Sequence, residues 1–416
     1  MVKDFLYPLR CGVQHYDWGA RADNDKQPYI AELVGDDPND KPYAELWIGA
    51  HPKLPASVLI SPTEEKTLSD FIAADQEAVL GKPLLANGIR ILPFLLKVLD
   101  CRKNLSIQAH PDKQLAEKLH AEDPENYPDD NHKPEIAVSI CGMEAFCQFR
   151  PVTEIKNNLL RLNTLAEAFA DFLAGDGICD ESPEKWLRQV YTKLFDMPQE
   201  RVERLLVDLR QELEKAEKHE LSDKWVHELL TNNPGDRGVL NAYFLNIIYL
   251  EEGEAVFLAA NEPHAYLRGT IIECMANSDN VVRAGLTSKF VDQETLVNML
   301  SFRGMKPEKT RGEEQASGVR VYKVPAPEFQ VEMYTGEKSS RQTHTADDMI
   351  SLMLVLEGGV QFSVGDRNVS AQKGSAWLWP ASVPECDITF TEHNTCVVRA
   401  RPNTEFFSSR LIHEKC

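Results

Sequence analysis

Apolar positions recur along this chain in two rhythms. Up to about residue 150 they come as short runs broken by Gly, Pro and Asp, at 56–60, 91–99, 105–109 and 136–140. Runs of that length between turn formers predict β-strands. Residues 115–119 predict a short helix, and the acidic, proline-containing stretch 123–130 predicts a loop. After Pro151 the period lengthens: Leu159, Leu162, Leu165, Ala166, Phe169, Phe172 and Leu173 recur at helical spacing, and Gly175 stops the run. Ser182 and Pro183 suit the cap and first position of a further helix. Val202, Leu205, Leu206, Leu209 and Leu213 then form one apolar stripe among charged neighbours, and Asn232-Asn233-Pro234-Gly235-Asp236 signals a turn.

Strand character returns from Ile247. Gly253 to His264 has the glycine–strand–proline–histidine layout of half a cupin motif, in which Pro263 fixes the turn and His264 points into a barrel. The polar stretch 306–318 reads as a linker. Beyond it, apolar runs at 319–324, 329–334, 350–356, 360–364, 375–378 and 395–399 have the spacing of a β-sandwich. Gly365-Asp366, Gly374 and Pro380 mimic a second cupin half, but no histidine follows closely after Pro380, which predicts a β-domain without metal. The expected fold class is therefore mainly β with a helical insertion.

Composition narrows the function. The 416 residues carry 45 basic and 65 acidic side chains, a formal charge of −20. That balance argues against a nucleic-acid or anionic-membrane partner. A small phosphorylated ligand needs only a local basic pocket, because charges beyond about 8–10 Å are screened. Nine cysteines without a C-x-x-C pair predict free thiols in a reducing compartment. No apolar stretch approaches the roughly 18 residues of a membrane span, and the first ten residues do not read as a signal peptide. A cytoplasmic protein is expected.

Candidate chemistry concentrates in three short segments. On a strand, Ser106, Gln108 and His110 share one face while Ile107 and Ala109 take the other. Glu135, in His132-Lys133-Pro134-Glu135, and His264, in Asn261-Glu262-Pro263-His264, follow. Gln108, His110, Glu135 and His264 together offer a mixed nitrogen and oxygen ligand set, which suits zinc or a similar divalent ion better than calcium.

The same segments carry a family resemblance. Gln14-His15-Tyr16-Asp17-Trp18-Gly19, residues 44–52, 105–113 and 132–135, and the long polar run from Ile272 through Asn277-Ser278-Asp279-Asn280 to Lys289 occur in the order and spacing of type I mannose-6-phosphate isomerases (phosphomannose isomerases). The chain resembles that cupin-fold, zinc-dependent family over about residues 5–300; His15 stands where many members have Asn. The resemblance implies a discontinuous catalytic zinc cupin domain (1–151 and 248–318), a helical domain (152–247) and a C-terminal β-sandwich domain (319–416). It implies one Zn2+ per chain, a sugar-phosphate substrate, a monomer, and interconversion of mannose 6-phosphate and fructose 6-phosphate through a cis-enediol. Such an activity would serve GDP-mannose and glycan synthesis or mannose breakdown.

That reaction needs a base, an electrophile and a phosphate clamp. Arg283 and Lys289 lie beside the metal motif, with Lys97 and Lys133 near the site strands. Glu273, Asp279, His132 and Lys133 compete as the proton-transfer base, and the sequence does not choose between them. Ser106 is a candidate for a phosphate or hydroxyl, and Trp18 and Asp17 for the pocket mouth. Two other readings stay open: a cupin metal oxygenase, which would want two or three histidines with open positions for iron where this set offers two histidines plus Gln and Glu, and a sugar-phosphate binder without catalysis.

Overall fold

The strand Phe94–Cys101 shows how alternation builds the architecture. Leu96 and Val98 point to one face, Leu95, Lys97 and Leu99 to the other. Every residue of the strand is buried, so both faces must be covered. It pairs antiparallel with Glu45–Ile48 on one side and His264–Ala276 on the other. In this computed structural model, which describes residues 5–23, 27–38, 41–173 and 182–408, the chain is mainly β-sheet with a set of helices.

Two large sheets dominate. The ten-stranded sheet runs Lys309–Thr310, Ala255–Leu258, Glu135–Phe149, His264–Ala276, Phe94–Cys101, Glu45–Ile48, Gly12–Gln14, with Gln108–Ala109, Val282–Arg283 and Leu245–Leu250 attached. The nine-stranded sheet joins early and late sequence: Tyr7–Arg10 pairs with Ala376–Trp379 and with Ser57–Ser61. It therefore runs across the expected boundary at residue 319. A four-stranded sheet covers its C-terminal part. One apolar core lies between the large sheets. Leu46, Leu96, Val98, Ile136, Val138, Ile272 and Cys274 meet Leu352, Leu354, Leu378 and Val398 there. Each such side chain contributes on the order of 1.5–3 kcal/mol on burial.

Between Val152 and Asn232 the described residues form helices. The stripe Val202, Leu205, Leu206, Leu209 and Leu213 is buried, and Ser182 caps its helix by accepting the Lys185 N–H at 3.3 Å. These helices share one core with Phe146, Phe149, Ala265, Ile107 and Leu286, so they cover the end of the ten-stranded sheet. Gly175, the expected stop, lies outside the described residues.

Several boundaries differ from expectation. The first long strand begins at Phe94 instead of residue 91: Ile91 is exposed and Pro93 has no N–H to enter a ladder. The expected strand 105–109 contracts to Gln108–Ala109, and the short helix extends to Lys113–Glu122 because Asp112 caps it. The polar linker 306–318 holds two short strands, Lys309–Thr310 and Glu313–Ala316, both exposed at sheet edges. Edge strands tolerate charged side chains, since their backbone pairs whatever the side chains are.

Leu352 is fully buried in the inter-sheet core. Leu352→Ala should lower stability by about 2–5 kcal/mol in denaturant unfolding. A midpoint within error of the wild type would show that the two sheets do not share this core.

Candidate metal centre and active-site cleft

One face of the ten-stranded sheet carries charge. Glu273 lies directly opposite Lys97 across the ladder, and Met275 opposite Glu135. Lys97 Nζ sits 3.0 Å from Glu273 and 3.5 Å from Glu45, and Lys133 Nζ sits 3.1 Å from Glu135. All five side chains are buried. Buried charges persist only when paired. Burial alone would lower the Lys97 pKa, but the carboxylates of Glu273, Glu45 and Glu135 hold it above the ordinary lysine range. Burial raises the Glu273 pKa despite Lys97. Burial would also raise Glu135, yet Lys133 and His110 keep it well below the usual carboxylate range.

Beside this cluster three ligand atoms converge. His110 Nε2 lies 3.4 Å from Glu135 Oε1, His264 Nε2 lies 3.3 Å from Glu135 Oε2, and the group fits within 4.8 Å. His110 Nδ1 donates to the Asn280 carbonyl at 2.8 Å, and His264 Nδ1 to the Glu262 carbonyl at 3.1 Å. Each ring therefore turns a bare Nε2 lone pair inward, as metal-bound histidines do when a carbonyl holds their other nitrogen. His110 Nε2, His264 Nε2 and Glu135 Oε2 are buried without a hydrogen-bond partner. Burial, with Lys133 nearby, pushes the His110 pKa down to about 4, which keeps it in its ligating form. Orphaned, convergent donors of this chemistry fit a divalent metal. Gln108 lies across the ladder from both His264 and Arg283.

Local backbone supports the ligands. Asn261 takes a left-handed conformation (φ 65°), which Asn tolerates, in the turn before Pro263-His264. Its N–H donates to the His110 carbonyl at 2.8 Å and ties two ligand segments together. Buried Asn280 donates its amide to the Asp129 and Asn131 carbonyls at 2.7 and 3.0 Å, fixing the carbonyl that orients His110.

A cleft of about 820 Å³ opens beside the centre. Trp18, Asp17, Ser106, Gln108, Arg283 and Lys289 line it. Burial lowers the Arg283 pKa. Asp17 is exposed and bonded to Lys103 and Arg21 at 2.7 and 3.0 Å. Lys97, Lys133 and Glu273 are not among the lining residues; they sit in the buried cluster. His132 and Asp279 turn to other partners. His132 is 2.7 Å from Glu328, and Asp279 is 2.8 Å from Lys53 and 3.4 Å from His51. Burial would raise the Asp279 pKa, but hydrogen bonds from His51 and Lys53 hold it far below the normal range.

The sequence reading assigned no role to Glu45 and Tyr266. Glu45 lines the cleft, approaches Lys97 and accepts the Trp47 indole N–H at 2.5 Å. Its signal was a charged residue within an apolar strand, the same signal that singled out Glu273. The Tyr266 hydroxyl is buried, and burial, Glu273 and Glu135 all push its pKa up.

Residues 6–152 match the family described as phosphomannose isomerase type I, catalytic domain. The mannose-6-phosphate isomerase of Bos taurus is 37% identical over 391 residues, covering 87% of this chain and 90% of that protein. That of Homo sapiens is 37% identical over 387 residues, covering 86% and 89%. A point mutant of phosphomannose isomerase from Salmonella typhimurium superposes with a TM-score of 0.85 at 28% identity, covering 95% of this chain and 99% of that one. A mannose 6-phosphate isomerase crystallised with zinc and yttrium bound gives 0.84 at 28% identity, covering 96% and 99%.

Glu135→Ala removes a carboxylate shared by both histidines. Elemental analysis of the purified variant should find metal below about one tenth of the wild-type content, in line with the roughly 10-fold or greater loss of affinity typical even when only a hydrogen-bond partner of a ligand is removed. Wild-type stoichiometry in that variant would refute the ligand assignment.

Proposed function

The chain belongs to the type I phosphomannose isomerase family, and on that premise we propose that its buried centre holds one zinc ion and interconverts mannose 6-phosphate and fructose 6-phosphate through a cis-enediol. One observation carries the reading: three partnerless ligand atoms converge beside a cleft that presents Arg283 and Lys289. The proposed ligands are Gln108, His110, Glu135 and His264. Bound zinc would supply Lewis acidity next to the reacting carbon.

The remaining work falls to this chain's side chains. A base takes the C2 proton of the open-chain aldose and returns it to C1, while one proton passes from O2 to O1, so that the C1 carbonyl becomes a hydroxyl and the C2 hydroxyl a carbonyl. Among the four candidates, Glu273 is favoured by its burial beside Glu135 and its raised pKa, which strengthen it as a base. Lys133, 3.1 Å from Glu135, is next. His132 and Asp279 are engaged by Glu328 and by His51 and Lys53. Arg283 is assigned to the charge that builds on the enediolate, and Lys289 with Ser106 to the phosphate. A guanidinium suits oxyanions because it donates from a planar fork. Trp18 and Asp17 frame the mouth.

The domain division proposed with this function is a zinc cupin domain (1–151 and 248–318), a helical domain (152–247) and a C-terminal β-sandwich (319–416). Strands on both sides of a helical stretch support it, and the ten-stranded sheet joins strands from 1–151 with strands from 248–318.

Arg283→Ala should reduce kcat for mannose 6-phosphate in a coupled assay by about a hundredfold, about 2.7 kcal/mol, the scale of one lost electrostatic stabiliser. Metal content should stay at the wild-type level, because Arg283 is not a ligand. Near-wild-type kcat/KM in this variant would remove Arg283 from the mechanism.

A further inference from the structure

An acidic side chain in a cleft meant for an anion calls for an explanation. Asp236 lines the cleft alongside Arg283 and Lys289, in the turn that follows the Leu221–Asn232 helix. Its carboxylate is already engaged. Oδ1 accepts the Gly238 N–H at 2.7 Å, capping the short helix Arg237–Leu240. Oδ2 accepts the Thr287 N–H at 2.9 Å, across to the loop that follows Arg283. Both oxygens are held by N–H donors, so the negative charge is partly neutralised before a phosphate arrives.

The loop that Asp236 holds is unusual in its backbone. Gly285 has φ 116° and Leu286 has φ 56°, a left-handed conformation that a leucine rarely adopts. Strain of this kind persists only where the surroundings impose it. Two contacts impose it here. A Cβ on Gly285 would lie 2.6 Å from the Gly238 Cα, so the two loops touch backbone to backbone. The Gly285 carbonyl accepts the Ile107 N–H at 3.0 Å, and the Ala284 N–H donates to the Ile107 carbonyl at 2.7 Å, which ties the loop to the strand bearing Gln108. Beyond Leu286 the described loop is held by the Asp236–Thr287 bond, and the Thr287 hydroxyl in turn accepts the Lys289 N–H at 3.1 Å.

We propose that Asp236 is a positioning residue for phosphate recognition: its carboxylate clamps the Thr287 backbone and thereby sets Lys289 at the cleft. The helical part of the chain then contributes to the site by holding a loop, without touching the reacting carbons. The proposal rests on the reading above that Lys289 binds the substrate phosphate.

Steady-state kinetics of Asp236→Ala, Asp236→Asn, Lys289→Ala and the Asp236→Ala/Lys289→Ala double variant test it, with inorganic phosphate as a competitive probe. Asp236→Ala should raise KM for mannose 6-phosphate about tenfold, with kcat lowered less than about threefold. The inhibition constant of inorganic phosphate should rise in the same proportion. Asp236→Asn should fall between wild type and Ala, since an amide oxygen accepts one of the two N–H groups but its NH2 cannot accept the other. The double variant should be no worse than Lys289→Ala alone, because the clamp acts through Lys289. Additive losses, or a fall in kcat with KM unchanged, would overturn the clamp and leave the phosphate assignment standing. An unchanged KM in Lys289→Ala would overturn the phosphate assignment itself, and the clamp with it. Metal content and thermal midpoint are measured on each variant; loss of metal in the Asn variant would also overturn the proposal, by showing a general collapse of the site.

Discussion

Charge burial on one face of the ten-stranded sheet is the constraint from which the rest follows. Lys97, Lys133, Glu45, Glu135 and Glu273 are all removed from water. Removing one partner of such a pair typically costs about 3–5 kcal/mol, because the other charge is stranded. The pairs therefore demand one register. A one-residue slip of the strand carrying Lys97 would send its ammonium into the inter-sheet core and Leu96 and Val98 to the polar face. Within this set two lysines face three carboxylates, and His110 and His264 complete the centre. The set is one negative charge in excess. A divalent cation bound there would reverse that sign, in keeping with the proposed phosphorylated substrate.

The remaining layers follow from covering that face. Its back is sealed by the apolar core against the nine-stranded sheet, into which the first strand, Tyr7–Arg10, is recruited. Its end is sealed by the helical stripe packed on Phe146, Phe149 and Leu286. The cleft is what stays open, between the Asp17-Trp18 turn, the Gln108 strand and the loop from Arg283 to Lys289. Low dielectric beneath the cleft strengthens every interaction made there.

Much of this was legible in residue order because it depends on local pattern. The helical stripes, the cap at Ser182 and the ligand segments around His110, Glu135 and His264 each declare themselves within a few residues. What was hidden depends on distant pairing. Nothing near Tyr7 announces that it will lie opposite Leu378, since strand partners are chosen by packing across hundreds of residues. The linker 306–318 looked unstructured because its side chains are polar, while its backbone bonds are what order it. The partners of His132 and Asp279, Glu328 and His51 with Lys53, come from other segments, so their engagement could not be read beforehand. Glu45 and Asp236 carried weaker signals: one charge in an apolar strand, and one carboxylate in a turn whose second partner lies 51 residues away.

The central claim is that the buried face is electrostatically complete, and active, only with one divalent ion at the His110–Glu135–His264 centre. Its most direct test is a titration. The chain is stripped of metal with a chelator, checked for retained fold by circular dichroism, and zinc is added stepwise while fructose 6-phosphate formation from mannose 6-phosphate is followed. The account predicts that activity starts near zero, rises linearly and breaks at one zinc per chain. Full activity in the stripped, folded chain, or no isomerisation at one bound zinc, would contradict it.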